Sequence, residues 1–104
     1  MKKIMFEAYG RNIPVRLKKT RYYAENAMAV SINSCEENNE EPLGVLSVNL
    51  SESKNLPENC AFVRTTIGGN NDVLNWIIKN NIGVLLGLSV KVGSTVYPAV
   101  KFNF

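Results

Sequence analysis

The fold of this chain is decided by residues 43–81, which read LGVLSVNLSESKNLPENCAFVRTTIGGNNDVLNWIIKNN. Near the start of this stretch, Leu46, Val48 and Leu50 alternate with smaller or polar residues, which is the period of two of a half-buried strand. Residues 60–66 form a second apolar segment of strand length, and the polar connection before them supplies turn chemistry. The stretch therefore predicts two strands joined by a turn and followed by a short helix.

The helix is predicted from its apolar spacing and from the residue before it. The apolar residues at helical spacing are Val73, Leu74, Ile77 and Ile78. Asp72 stands at the N-cap position, where a carboxylate can accept hydrogen bonds from the amides of the first turn. The lone tryptophan, Trp76, is expected to close the rim of the core rather than to remain exposed.

Further alternating segments lie on both sides of this stretch and predict additional strands. They cover residues 2–9, 13–18, 27–33, 84–92 and 95–104. Gly93 and Ser94 form a Gly-first turn that favours a tight hairpin, and Pro98 is expected at an edge or a bulge. We therefore predict one α+β domain over residues 1–104, with an antiparallel sheet of about five to seven strands. One main helix, from about Asp72 to about Asn80, packs on this sheet.

Composition argues against several classes of function. Histidine is absent, which removes the commonest general base and the commonest metal ligand. No apolar run approaches the roughly 18 residues of a membrane helix. Cys35 and Cys60 are expected to remain separate, reduced thiols. We expect a cytoplasmic protein that is not an enzyme, that needs no cofactor or metal, and that has no membrane and no small-molecule substrate as partner.

Charge is unevenly distributed along the chain. Residues 1–35 carry seven cationic side chains against two carboxylates, a net +5, whereas residues 36–58 carry one against six, a net −5. Residues 59–104 carry a net +3, which equals the net charge of the whole chain. Such an asymmetry is typical of surfaces that recognise charged partners.

Two candidate binding sites follow from this distribution. The basic candidate interleaves cations with aromatic rings, as nucleic-acid backbones and bases require, and consists of Arg16, Lys18, Lys19, Arg21, Tyr22 and Tyr23. The acidic candidate is a polar loop expected to be extended and mobile, with Glu36, Glu37, Glu40 and Glu41. A flexible acidic run can occupy a nucleic-acid-binding groove on another protein. The simpler interpretations are an edge strand protected by charge and a solubilising loop.

The second half of the chain also resembles a known group of proteins. The segments that carry the resemblance are Leu46-Ser47-Val48-Asn49-Leu50, Leu56-Pro57-Glu58-Asn59-Cys60-Ala61-Phe62-Val63, Gly93-Ser94-Thr95-Val96-Tyr97-Pro98 and Lys101-Phe102-Asn103-Phe104. They resemble a family of small proteins, without a known catalytic motif, carried on conjugative elements and phages of gut bacteria. The chain departs from that family at Arg64, where an acidic residue is usual, and over residues 84–92, which are more apolar.

The resemblance implies a protein of a mobile genetic element that acts by binding. Similar small proteins of such elements include anti-CRISPR inhibitors, some of which block guide-RNA loading of the type II RNA-guided nuclease. The expectation is therefore an anti-CRISPR protein that binds a type II CRISPR nuclease of the bacterial host through the four glutamates. The alternative is a small RNA- or DNA-binding accessory protein of a conjugative element, acting through the basic and aromatic residues.

Overall fold

The structure is a computed structural model that describes residues 3–21, 28–36 and 39–104. The strands formed by these residues are β1 (Ile4–Ala8), β2 (Arg11–Arg21), β3 (Met28–Ser34), β4 (Glu41–Val45), β5 (Ser47–Val48), β6 (Cys60–Val63), β7 (Gly83–Val92) and β8 (Thr95–Phe102). A 3-10 helix, Ser51–Asn55, follows β5, and the α-helix α1 (Val73–Lys79) lies between β6 and β7. No helix in the described ranges is both long and apolar enough to span a membrane.

The strands form two sheets of four strands each, rather than the one sheet of five to seven strands that the sequence predicts. Sheet A has the order β1-β2-β3-β4, and sheet B has the order β5-β6-β8-β7. Neighbouring strands are antiparallel throughout both sheets. The broad α+β class and the antiparallel pairing are therefore confirmed, but the molecule contains more β-structure than expected.

The backbone hydrogen bonds of Leu46 show how the chain passes from one sheet to the other within the single strand that the sequence predicts around residues 46–50. The backbone N–H of Leu46 donates to the Val30 carbonyl of sheet A at 2.8 Å, and its own carbonyl accepts from the Arg64 N–H at 2.9 Å. The next residue, Ser47, is fully buried, and its Oγ accepts from the Val30 N–H at 2.9 Å. The chain therefore leaves sheet A after Val45 and enters sheet B at Ser47, with Leu46 hydrogen-bonded to both sides.

The core lies between the sheets and extends to α1. Its largest fully buried side chains are Phe6, Phe102, Ile13, Ile32, Leu46, Ile77, Ile82, Val15, Val30, Val63, Val73 and Val100. Trp76 is buried at the edge of this cluster, with its ring 4.8 Å from the Phe6 ring in an edge-on arrangement. The prediction that Trp76 closes the rim of the core is confirmed.

The predicted capping role of Asp72 is wrong. Asp72 directly precedes α1, but its side chain accepts no hydrogen bond from the first-turn amides. Its backbone angles, φ −114° and ψ 27°, are not the extended ones that place an N-cap side chain over those amides. Instead, its Oδ2 accepts from Asn75 Nδ2 at 3.4 Å, and its N–H donates to Asn70 Oδ1 at 2.7 Å.

Candidate binding surfaces

The acidic residues predicted to form a mobile loop are held against sheet A where the structure describes them. Glu36 forms a bidentate pair with the Arg11 guanidinium, with two N–O distances of 2.9 Å. These hydrogen bonds hold the pKa of the Glu36 carboxyl below its usual value. Glu40 accepts from Asn33 Nδ2 at 3.0 Å, and Glu41 is the first residue of β4. Glu37 lies outside the described residues.

The basic residues are divided between two faces of β2, so they do not form the single surface that the sequence predicts. Arg16 and Lys18 alternate with the buried Val15 and Leu17, and they therefore lie on the outer face of sheet A. Lys19 lies on the opposite face, as does Arg21 by the same alternation. Tyr22 and Tyr23 fall outside the described residues.

The ammonium group of Lys19 is occupied by contacts within the chain. Its Nζ donates to Asn59 Oδ1 and to the Phe104 carbonyl, each at 3.0 Å. Asn59 directly precedes β6 and Phe104 follows β8, so Lys19 links sheet A to the end of sheet B. This basic residue therefore has a structural partner in the free protein.

Folding brings the basic and acidic parts of the chain together. Arg11 of β2 pairs with Glu36, and Arg16 lies directly opposite Asn33, whose side chain holds Glu40. Because β2, β3 and β4 are neighbours in sheet A, charges that are far apart in sequence partly neutralise each other in space. The pair with Arg11 therefore partly neutralises the acidic candidate surface at Glu36.

The outer strand β1 has its free edge closed by other parts of the chain. The Met5 carbonyl accepts from Trp76 Nε1 at 2.8 Å, and the Glu7 carbonyl accepts from Asn70 Nδ2 at 2.8 Å. The Tyr9 N–H donates to the Gly68 carbonyl at 2.7 Å. Residues 68–76 therefore satisfy alternate backbone groups along the edge that β1 would otherwise leave unpaired.

The outer strands β4 and β5 are also protected. The Val45 carbonyl of β4 accepts from Arg64 Nε at 3.1 Å. Strand β5 consists of only two residues, and its Val48 carbonyl accepts from Ser53 Oγ at 3.4 Å. Short strands and edge contacts of this kind prevent unwanted pairing with another sheet.

The hairpin of β7 and β8 carries five of the nine large apolar residues that are exposed in the described part of the chain. Strand β6 pairs with β8 only at residues 99–101, so residues 86–98 extend beyond it as a two-stranded ribbon, which we call the arm. The side chains of Val84, Leu85, Leu88, Val92 and Val96 are each 47–54% exposed. Lys91 is the one charged residue between residues 86 and 98. An isolated two-stranded hairpin is marginally stable in water, so an arm of this composition favours a partner.

A groove of about 700 Å³ lies between the arm, its base and α1. Its apolar lining residues are Leu74, Leu85, Leu88, Val96 and Pro98, and its remaining ones are Thr65, Gly87, Ser89, Ser94 and Thr95. None of these ten lining residues is charged. The sequence predicts the two strands but not this groove, because alternation alone does not tell which apolar residues remain uncovered. The sequence feature that could have indicated this groove is that residues 84–92 are more apolar than the corresponding segment of the family that the chain resembles.

The other titratable groups form no recognisable reactive centre in the parts of the chain that are described. Across residues 3–21, 28–36 and 39–104, no group of three or more Cys, Asp or Glu residues is placed to hold a metal ion. Cys35 and Cys60 are both buried and are not joined to each other. Burial raises the pKa of the Cys60 thiol, which favours the less reactive protonated form.

Comparison with known proteins gives a family but no activity. The sequence profile described as Domain of unknown function (DUF4313) matches residues 16–104. No curated protein and no solved structure matches the chain. The profile covers most of β2 and all of β3 to β8, including the arm and α1. Since the match spans far more than half of the chain, the protein belongs to the DUF4313 family.

Proposed function

We propose that this protein acts by binding another protein, without catalysing a reaction, and that the arm and its groove are the contact surface. The observation that carries this proposal is the exposed, nearly uncharged apolar surface of β7 and β8. Contiguous apolar patches of this kind mark interaction sites on soluble domains. The matching partner surface is an apolar segment that places aliphatic or aromatic side chains between α1 and the arm.

The exposed side chains that line the groove supply part of the free energy of a specific contact. Completing the burial of a half-exposed Val or Leu is worth about 1 kcal/mol, at about 25 cal/mol per Å² of apolar surface. The three exposed side chains that line the groove, Leu85, Leu88 and Val96, therefore offer about 3 kcal/mol before the costs of association are subtracted.

We propose a type II CRISPR nuclease of a bacterial host as the partner, with guide-RNA loading or nucleic-acid binding as the step that is blocked. The support for this class of partner is the resemblance of the second half of the chain to small proteins of mobile elements. The exposed Glu40 and Glu41, at the edge of sheet A, add a secondary electrostatic contact to the basic channel of such a nuclease.

The test measures DNA cleavage by a purified type II nuclease, with this protein added before or after the guide RNA. We expect inhibition only when the protein is added first. Leu85→Lys places a charge in the groove and raises the half-inhibitory concentration at least about tenfold, which corresponds to about 1.4 kcal/mol. Val84→Lys is the matched control, because Val84 is equally exposed but does not line the groove.

Two results would contradict this proposal. The first is unchanged cleavage at every concentration and in either order of addition, which excludes the nuclease as the partner. The second is equal inhibition by the Leu85→Lys variant and by the unmodified protein, which excludes the groove as the contact.

Direct binding of RNA or DNA is the second candidate function. The observation that favours it is the position of Arg16 and Lys18 on the outer face of sheet A, at successive outward positions of one strand. A fluorescent single-stranded oligonucleotide, titrated at several salt concentrations, tests it. Binding with a steep salt slope that is lost in an Arg16→Glu and Lys18→Glu double variant supports this candidate. Absence of binding by the isolated protein supports the first proposal instead.

A further inference from the structure

Strand β7 differs from the other outer strands of the two sheets because its free edge is open. The edges of β1, β4 and β5 are contacted by side chains or by neighbouring backbone. Within the described part of the chain, no donor or acceptor is hydrogen-bonded to the side of β7 that faces away from β8. A ten-residue strand with an open edge and exposed apolar side chains is a template for pairing with another strand.

The hairpin register determines which residues present their backbone to this edge. The two-residue turn joins Val92 to Thr95, so these two residues exchange hydrogen bonds, as do Val90 and Tyr97. Ser89 and Lys91 alternate with them and direct their N–H and carbonyl groups to the open edge. The position of Pro98 agrees with this pattern, because it lies opposite Ser89, where β8 needs no amide donor.

We propose that two copies of the protein associate by pairing β7 with β7 in antiparallel orientation, about a two-fold axis at Val90. The two sheets B then form one continuous sheet of eight strands. In this register Val90 lies opposite the partner's Val90, and Leu88 lies opposite the partner's Val92. Ser89 lies opposite the partner's Lys91, and the two pairs of this kind exchange main-chain hydrogen bonds.

Charge and local geometry both favour a second copy in this register. Lys91 is the one charged residue of the arm, and the two-fold axis at Val90 places each Lys91 opposite a serine instead of a second lysine. Centring the axis on Lys91 would place like charges directly opposite each other, which is destabilising. The proposed pairing also avoids most of the bulge in β7, where residues 86–88 lie opposite Ala99 alone and Gly87 has a φ of 88°.

The size of the contact indicates a reversible dimer. Of the half-exposed apolar side chains of the hairpin, Leu88 and Val92 lie in the paired segment and supply roughly 60–120 Å² per copy, at about 30–60 Å² for half of a Val or Leu side chain. Stable interfaces bury about 800 Å² per partner, so even with the strand backbone included this contact is at the low end. We expect a dissociation constant on the order of 10–100 μM. Since the axis is perpendicular to the sheet, both grooves open on the same side, and the dimer presents a doubled apolar surface.

Sedimentation velocity of the purified protein, from about 1 μM to about 1 mM, tests the dimer. Ser89→Lys brings a second lysine opposite Lys91 at both symmetric positions, so we expect dimerisation to weaken about threefold to tenfold. Adding Lys91→Glu to Ser89→Lys restores dimerisation, because opposite charges then face each other across the axis. Ser94→Lys, in the exposed turn of the same hairpin, is the control and leaves dimerisation unchanged.

A protein that remains monomeric at about 1 mM would overturn the proposal. A dimer that responds equally to Ser89→Lys and Ser94→Lys, or that the double variant does not restore, would exclude pairing at this register. The measurement uses the isolated protein without a nuclease. Sedimentation can therefore disprove the dimer while the cleavage assay supports the proposed function, and the cleavage assay can disprove the proposed function while sedimentation supports the dimer.

Discussion

Replacing Ser47 by alanine tests the junction between the two sheets. Ser47 is fully buried, and its Oγ accepts the Val30 N–H at 2.9 Å at the point where the chain passes from β4 to β5. In Ser47→Ala the buried Val30 amide loses this acceptor, and leaving a buried donor unsatisfied costs about 1–3 kcal/mol. This is a large part of the roughly 5–15 kcal/mol by which a small domain is stable. Alanine is smaller than serine, so no new steric conflict accompanies the change.

Urea unfolding followed by Trp76 fluorescence measures this loss. A loss of about 2 kcal/mol, divided by a denaturant slope of about 1–3 kcal/mol per molar, lowers the unfolding midpoint by about 0.7–2 M. Ser31→Ala is the matched control, because the Ser31 Oγ makes only a long contact of 3.5 Å to the Lys18 carbonyl near the surface. We expect that variant to lie within about 0.5 kcal/mol of the unmodified protein. Equal midpoints for Ser47→Ala and the unmodified protein would refute the assigned role of the buried hydroxyl.

Two further predictions concern packing and pH. In Gly83→Ala the added Cβ would lie 2.6 Å from Val100 Cγ1 and 2.7 Å from the Lys101 carbonyl oxygen, so we expect a loss of about 1–3 kcal/mol in thermal unfolding. Gly44→Ala is its control, since the nearest atom there is 3.6 Å away, and equal melting temperatures for the two variants would contradict the prediction. The hydrogen bonds from Arg11 hold the pKa of Glu36 in the folded protein below its pKa in the unfolded chain. The pair therefore stabilises the fold at pH values above the unfolded-state pKa, and this stabilisation is lost as the pH falls through the folded-state pKa. Arg11→Ala should therefore raise the pKa of Glu36 in an NMR titration, and an unchanged titration would show that another group causes the shift.

The sequence predicts local structure well where one pattern has one structural outcome. Alternation gives the strands, Gly93 and Ser94 give the tight turn of the last hairpin, and helical spacing places α1. Trp76 reaches the rim of the core because its ring is apolar and its N–H finds the Met5 carbonyl. These features depend on interactions among residues that are close in sequence or on burial alone.

The features that the sequence does not predict depend on contacts between distant segments. The alternation around Leu46 has the same appearance whether the chain continues in one sheet or passes into a second, and only the contacts to Val30 and Arg64 decide between them. The sequence predicts a mobile loop for the glutamates because it does not show their partners. Arg11 precedes Glu36 by 25 residues, and Asn33 precedes Glu40 by 7. Asp72 appears as a cap because residue type does not reveal its backbone angles.

The same long-range contacts determine which surface remains for a partner. Pairing of β2 with β3, and of β3 with β4, brings cations and carboxylates together in sheet A, whereas no hydrogen bond among the described residues covers the outer edge of β7. The proposed groove and the proposed dimer both use β7, and Ser89 belongs to both, because it lines the groove and lies in the paired segment. Leu85 lines the groove and lies before the segment of β7 that pairs in the proposed dimer. The hydrogen bonds between the two β7 strands are made by Ser89 and Lys91. Leu85→Lys should therefore weaken partner binding without changing self-association, and Ser89→Lys with Lys91→Glu should restore dimerisation whatever the partner is. A Leu85→Lys variant that lost both properties to the same extent would indicate that the arm had lost its structure, because Leu85 lies outside the paired segment.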